Sequence, residues 1–164
     1  MASTLKVNTI QNAAGSAPFF TDLGMKSKYF AVEINNTSLT ENVLTRYNLG
    51  TLIGDAGTVS SNQVTIAQTG TYILHFFIAC AGIENANSRW QENYLKLTRG
   101  GSTTTLLDAR DHIINIDTNY EYYHVSASRI HGLQANDIIF IETNGQNTAS
   151  GGSNGSQFMG IRIE

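Results

Sequence analysis

Between Thr71 and Cys80 the chain has no wet side: in an extended strand one face carries Tyr72, Leu74, Phe76, Ile78 and Cys80, the other Ile73, His75, Phe77 and Ala79. Alternate strand residues share a face. An antiparallel strand with one face in water alternates apolar with polar residues, so this segment calls for cover on both sides. The same holds for Ile138-Ile139-Phe140-Ile141 and for Phe158-Met159-Gly160-Ile161-Arg162-Ile163. In a sandwich only the facing sides of the two sheets meet the core. A second apolar face then needs a neighbouring subunit, or else loops or N-terminal residues folded back across it. Tyr120, Tyr122 and Tyr123 add a tyrosine-rich strand, whose large area and polar tips suit an interface. The residues expected at a contact between copies are Ile73, His75, Phe77, Tyr120, Tyr122, Tyr123, Phe158 and Ile161.

Period-two patterning runs on from Lys28. It predicts strands over Tyr29 to Ile34, Val43 to Leu49, Val64 to Ala67, Thr71 to Ala81, Asn93 to Thr98, Thr104 to Ala109, Tyr120 to Ile130, Ile138 to Thr143 and Phe158 to Ile163. Turn residues separate them, among them Gly54-Asp55, Arg99-Gly100-Gly101, Asn136-Asp137 and the Gly/Ser/Asn stretch from Thr148 to Ser156. Only Glu84 to Trp90 reads as a short helical turn. Composition agrees: Asn, Ser and Thr supply 47 of 164 residues and charged residues only 14%, against roughly 25% in ordinary globular chains. Such usage favours strands and turns over helices. The fold class is therefore all-β, a sandwich or jelly roll, as one domain over residues 28–164. Residues 1–27 stand apart. Ala13 to Pro18 break the chain, and LKVNTI is a lone strand-like segment with no partner nearby. It reads as an attachment arm whose Leu5, Val7 and Ile10 dock on another chain.

Net charge is −3 and Lys/Arg residues nowhere cluster, so the footprint of a nucleic-acid binder is missing. No apolar run approaches the roughly 18 residues that cross a bilayer. The opening MASTLKVNTIQNAAGSA holds no apolar signal core. Lone Cys80 forms neither an intrachain disulfide nor a cysteine zinc site, so packing alone in a reducing compartment is expected. No nucleophile elbow, P-loop, dinucleotide fingerprint or zincin motif occurs. Asp108, Asp111, His112 and Asp117 form the densest acidic stretch, but adjacent strand residues point to opposite faces. Ser126 and Ser128 share a face with His124, with nothing to supply an acid or an oxyanion hole. No catalytic residue, metal site or cofactor is expected. Arg89 and Trp90 are the expected ligand contacts, on loops Ser88 to Gln91, Asp111 to Asn119 and Asn144 to Ser156; the alternative for Trp90 is a plug at the end of the sandwich. Should His75 line a symmetry axis, its copies meet there and repel once protonated.

Three segments, in order, resemble C1q/TNF-like domains. Thr69-Gly70-Thr71-Tyr72-Ile73-Leu74-His75-Phe76 is similar to their Gly-x-Tyr-x-Phe-x-Phe strand. Leu133-Gln134-Ala135-Asn136-Asp137-Ile138-Ile139-Phe140-Ile141 is similar to Leu-x-x-Gly-Asp-x-Val-x-Val, with Asn136 where that pattern has Gly. Ser156-Gln157-Phe158-Met159-Gly160 is similar to the closing Ser-x-Phe-x-Gly strand. The resemblance implies a ten-stranded jelly roll in a compact homotrimer, and leaves function open. Met1 to Asn12 resembles the opening of structural and fibre-like proteins of marine and cyanobacterial phages. Together these imply a non-enzymatic virion protein, a trimeric capsid decoration or cement protein on the particle exterior, held through its arm to capsid or tail proteins. The alternatives are a receptor-binding tip that contacts a host surface glycan or protein, and a cellular ligand or adhesin of C1q/TNF type.

Overall fold

Alternating apolar and polar residues form strands because one side of each can be buried while its backbone pairs with neighbours. The computed structural model describes residues 29–83, 88–114, 121–145 and 150–163. Twelve strands follow one another: β1 (Tyr29–Asn35), β2 (Thr37–Ser38), β3 (Thr45–Arg46), β4 (Asn48–Gly54), β5 (Gly57–Ser60), β6 (Gln63–Ile66), β7 (Gly70–Ile83), β8 (Ser88–Arg99), β9 (Ser102–Ile114), β10 (Glu121–Leu133), β11 (Ile138–Gly145) and β12 (Ser150–Arg162). They build two antiparallel sheets. The first runs β10-β7-β12-β1-β4, with β2 on β12; the second runs β5-β6-β11-β8-β9, with β3 on β11. Neighbours in a sheet are mostly distant in sequence, the crossover pattern of a jelly roll.

One parity of each strand fills the space between the sheets. Phe30, Val32 and Ile34 of β1, Tyr72, Leu74, Phe76 and Ile78 of β7, and Phe158 of β12 meet Val64, Ile66, Leu95, Leu97, Ile139 and Ile141 from the other sheet, all of them buried. Phe158 packs edge-on against Phe30 with centroids 5.3 Å apart. Gly160 makes that contact feasible, since a Cβ there would stand 2.2 Å from the Phe30 ring. Ser156 of the same strand accepts a hydrogen bond from the Ala79 amide at 2.8 Å. Each residue of the Ser-x-Phe-x-Gly segment thus has a packing reason.

A polar plug sits among these apolar residues. The Tyr47 hydroxyl donates to Asn93 Oδ1 at 3.0 Å and accepts from Gln91 Nε2 at 2.9 Å. Gln91 Nε2 also reaches Thr143 Oγ1 at 2.9 Å and Cys80 Sγ at 3.3 Å. Burial, then the nearby Cys80, pushes the Tyr47 phenol well above its ordinary value. It therefore serves as a neutral hydrogen-bonding group, one that links β7 to β8 and β11.

At the opposite end, the turn Gln134 to Asp137 carries the chain from β10 in the first sheet to β11 in the second. Asn136 has φ 71°, a left-handed conformation that Asn tolerates and for which the resembling motif uses Gly. Buried Asp137 accepts from Arg99 Nε at 2.8 Å, Arg99 Nη2 at 2.5 Å and the Gln134 amide at 2.7 Å. Burial alone would raise its carboxyl; Arg99 and the Gln134 amide outweigh it and hold the group below the usual carboxylate value.

Three expectations are corrected. Ser88 to Trp90 opens β8 instead of forming a helical turn, because it pairs with Ile114, Ile113 and His112; residues 84–87 lie outside the described residues. Ser150 to Ser156, read as a turn stretch, belongs to β12, whose register shifts between Gly151 and Gln157 accommodate Gly152 and Gly155 at positive φ. Phe158, expected between subunits, is wholly buried in the core; it differs from Ile161 by an odd number of residues, so the two cannot share a strand face.

Replacing Arg99 by Met should lower stability at pH 7 by about 1–3 kcal/mol, since buried Asp137 loses its charged partner. Because Asp137 ionises more readily folded than unfolded, its contribution is full above about pH 4 and fades as pH falls through its folded value. Urea unfolding of both proteins from pH 7 to 2.5 should show the gap closing.

Candidate functional site

The two outer faces of the sandwich differ sharply. On the first sheet, cross-strand pairing lays the outward residues in rows. Ile130, Ile73, Ile161 and Tyr29 form one row across β10, β7, β12 and β1. Ser128, His75, Met159, Ala31 and Ile53 form the next, which extends to β4. Ser126, Phe77, Gln157 and Glu33 form a third. Ile130 is 63% exposed, Ile53 62%, Ile163 47%, Ile161 45% and Tyr29 42%; of the exposed large apolar residues described, only Val43 and Leu44 lie elsewhere. Glu33 is the one acidic or basic residue in these three rows apart from His75. A hollow of about 240 Å³ lies over Ala31, bounded by Ile53, Glu33 and Gln157. An apolar, nearly uncharged sheet face of this kind marks a contact surface.

His75 stands in the middle of it. Its Nδ1 is 2.8 Å from Ser128 Oγ, and His124, one row beyond Phe77, stacks on the Phe77 ring with centroids 5.0 Å apart. The His75–Ser128 pair has no carboxylate partner among the described residues. Among the described residues it lacks the orienting acid of a hydrolytic site.

The outer face of the second sheet is covered by the chain itself. Arg46 lies 3.6 Å over the Phe140 ring and is 3.3 Å from both Glu142 and Gln63. Lys96 Nζ lies 4.8 Å from the Tyr94 ring centre and 2.7 Å from Thr105 Oγ1. Arg110 lies 4.7 Å over Trp90 and pairs with Glu92, which also accepts from the Tyr94 hydroxyl. Burial and then Glu92 push the Tyr94 phenol up to about 12. Each ring has its cation and each guanidinium its carboxylate. The double-sided apolarity of Ile138 to Ile141 is thus answered within the chain: Phe140 is buried beneath Arg46, and no second subunit is needed there.

The expected residues divide accordingly. Ile73, His75, Phe77 and Ile161 share the apolar face of the first sheet, the first three half-buried. Tyr120 and the side chains of Tyr122 and Tyr123 lie outside the described residues, as do Leu5, Val7, Ile10 and the Arg89 side chain. Trp90 is neither at a loop tip nor an end plug; it lies half-buried on β8 beneath Arg110. Asp111 and His112 fall in β9 opposite Gln91 and Trp90. Among the described residues, no group of three or more His, Cys, Asp or Glu could hold a metal ion. Sequence reasoning missed Tyr29, Ile53, Ile130 and Met159 as members of the face. Tyr29 and Ile130 sit at the ends of strands whose other outward residues are small or polar, so their patterning alone was weak.

Trp90 is the single tryptophan, so its fluorescence reports the Arg110 contact. Arg110→Ala should red-shift its emission and increase acrylamide quenching, while stability changes by less than about 1 kcal/mol.

No family model and no curated protein sequence matches the chain. Solved structures do match its fold. Murine APRIL at pH 5.0 superposes with a TM-score of 0.63 at 15% identity, over 82% of this chain and 98% of that one. Eiger TNF from S. frugiperda gives 0.64 at 10% identity, over 85% and 94%. At these identities the likeness establishes architecture alone: the chain is an all-β sandwich with a TNF-like jelly-roll fold.

Proposed function

We propose that this protein is a non-enzymatic structural module that works as a homotrimer, with the apolar face of the first sheet turned inward between copies. The observation that carries this reading is the row Ile130–Ile73–Ile161–Tyr29, which the described residues leave open. Each isoleucine that passes from half-exposed to covered contributes about 1 kcal/mol, and the rows offer several per subunit. A face with a single carboxylate and no lysine or arginine among its described residues fits a partner that is equally apolar and uncharged, and a second copy offers that surface. The C1q/TNF-like resemblance of the sequence points to the same assembly.

Beyond assembly, the reading extends to a virion. Residues 1–27 serve as the attachment arm, and the trimer sits on a phage particle as a capsid decoration, each arm adding one tether so that avidity exceeds any single contact. The support for this step is the resemblance of Met1 to Asn12. The fold likeness to Eiger TNF favours a second reading, a ligand or adhesin of TNF type.

In native buffer the mass should be about 54 kDa, three times 17.9 kDa. Ile130→Asp with Ile161→Asp, at positions open enough to leave the fold intact, should give a folded monomer; a monomeric parent protein overturns the assembly. For the virion step, antibody labelling of purified particles should mark the head. Labelling at the tail end supports a receptor-binding tip, and secretion from uninfected cells supports the ligand. Deleting residues 1–20 should leave the domain folded and abolish incorporation.

A further inference from the structure

We propose that the hollow where β1 and β12 part is a binding site for one neutral sugar unit, a pyranose with adjacent free hydroxyls. The two strands pair from Tyr29 with Ile161 to Glu33 with Gln157 and then separate; β2 rejoins β12 where Thr37 meets Gly151. Three residues, 34–36, span the gap on one side and five, 152–156, on the other. β12 takes up the excess with Gly152 at φ 88° and Gly155 at φ 82°, and it falls out of step with β7 over the same stretch. Irregularities of this kind re-aim side chains and recur beside functional sites.

Side chains hold the opening in place of ladder bonds. The Ala79 amide donates to Ser156 Oγ at 2.8 Å. Thr37 Oγ1 donates to the Asn35 carbonyl at 3.0 Å and accepts from the Asn48 amide at 2.9 Å. Gly152 lets β12 pass close to β1, since a Cβ there would stand 2.4 Å from the Asn35 carbonyl oxygen. The result is a hollow of about 310 Å³, at the small end of the roughly 300–1,000 Å³ usual for ligand sites. It suits one sugar ring and not a chain of them. The hollow extends from the third row of the first sheet away from the isoleucines, and its chemistry depends on neither the assembly nor the virion reading.

The lining selects the ligand. Glu33, Asn35, Asn36 and Gln157 stand exposed around the hollow, one carboxylate and three carboxamides, with no lysine, arginine or histidine among the described lining residues. An anion would meet the Glu33 carboxylate. A cation would meet carboxamide N–H donors beside the oxygens, and an apolar ligand would strip water from four polar side chains. A sugar hydroxyl both donates and accepts, so a mixed set of donors and acceptors suits it. Gly50 of β4 leaves space for the Asn35 carboxamide, as a Cβ there would stand 3.0 Å from Oδ1 and 3.1 Å from Nδ2. No aromatic ring is among the lining residues, so hydrogen bonds alone set the affinity, at a dissociation constant of about a millimolar.

The test is a titration of nitrogen-15-labelled full-length protein at pH 7 with the methyl glycosides of glucose, galactose, mannose, fucose and N-acetylglucosamine, followed by amide shifts. The expected result is saturable shifts with at least one glycoside, centred on Gly152, Gly155 and Gln157. Glu33→Gln keeps the shape and removes the charge; it should weaken binding roughly tenfold and leave the rest of the spectrum unchanged. Gly50→Ala, which crowds the Asn35 carboxamide from β4, should weaken binding as well. The proposal is overturned by the absence of saturable shifts with all five up to about 100 mM, by shifts centred elsewhere, or by either variant binding as the parent does. The same pattern of shifts with calcium chloride or methylammonium chloride marks a cation site and overturns it too.

Discussion

Two stacked sheets have four faces, and one hydrophobic core covers two of them. Everything distinctive here follows from how the chain treats the other two. On the second sheet it lays Arg46 over Phe140 and Arg110 over Trp90, then pairs those cations with Glu142 and Glu92. Apolar area is hidden under the stems and planes of charged side chains, whose heads remain in water. On the first sheet no such device exists among the described residues. Isoleucines, Met159 and Ala31 stand beside Ser126, Ser128 and Gln157, and no arginine or lysine of these rows bends over them. The same shortage of charge that marks the whole composition is concentrated on one face.

The sequence made this contrast legible in part, and the reason is parity. β7 is apolar at both parities, and each set found the environment that its pattern implied: Tyr72, Leu74, Phe76 and Ile78 in the core, Ile73, His75 and Phe77 outside it. β11 has the same pattern but a different outcome, because the cover for Phe140 comes from Arg46, 94 positions earlier by residue number. Period-two counting sees which faces are apolar and is blind to a long side chain arriving from another strand. Phe158 shows the complementary error. It was grouped with Ile161 by hydrophobicity, although their odd separation already assigned them to opposite faces.

Turn chemistry was readable where a side chain imposes it and hidden where glycine permits several outcomes. Asn136-Asp137 marked a tight connection, and the structure gives the mechanism: one residue at φ 71° and a carboxylate that gathers Arg99 and the Gln134 amide. From Thr148 to Ser156 the density of Gly, Ser and Asn spoke for a loop. The chain instead threads Ser150 to Ser156 along β7 through two register shifts, with Gly152 and Gly155 supplying the positive φ that an irregular strand requires. The plug of Tyr47, Gln91, Asn93 and Thr143 was invisible for another reason. Its members come from β8, from β11 and from Tyr47 between β3 and β4, far apart in sequence, and each alone looks like an ordinary polar position.

The placement of β1 would tie the proposed interface to the proposed attachment arm. Tyr29 begins β1 and pairs with Ile161, so the polypeptide enters the domain at the end of the most exposed apolar row. In a cyclic assembly, equivalent points of all copies lie at one height along the axis. In the proposed trimer the three entry points therefore lie at one height along the axis, and the proposed attachment arms would start there together. The charged face of the second sheet is then turned outward on every copy. A single asymmetry, cover on one outer face and none on the other among the described residues, would thus give the proposed assembly its inside and its outside.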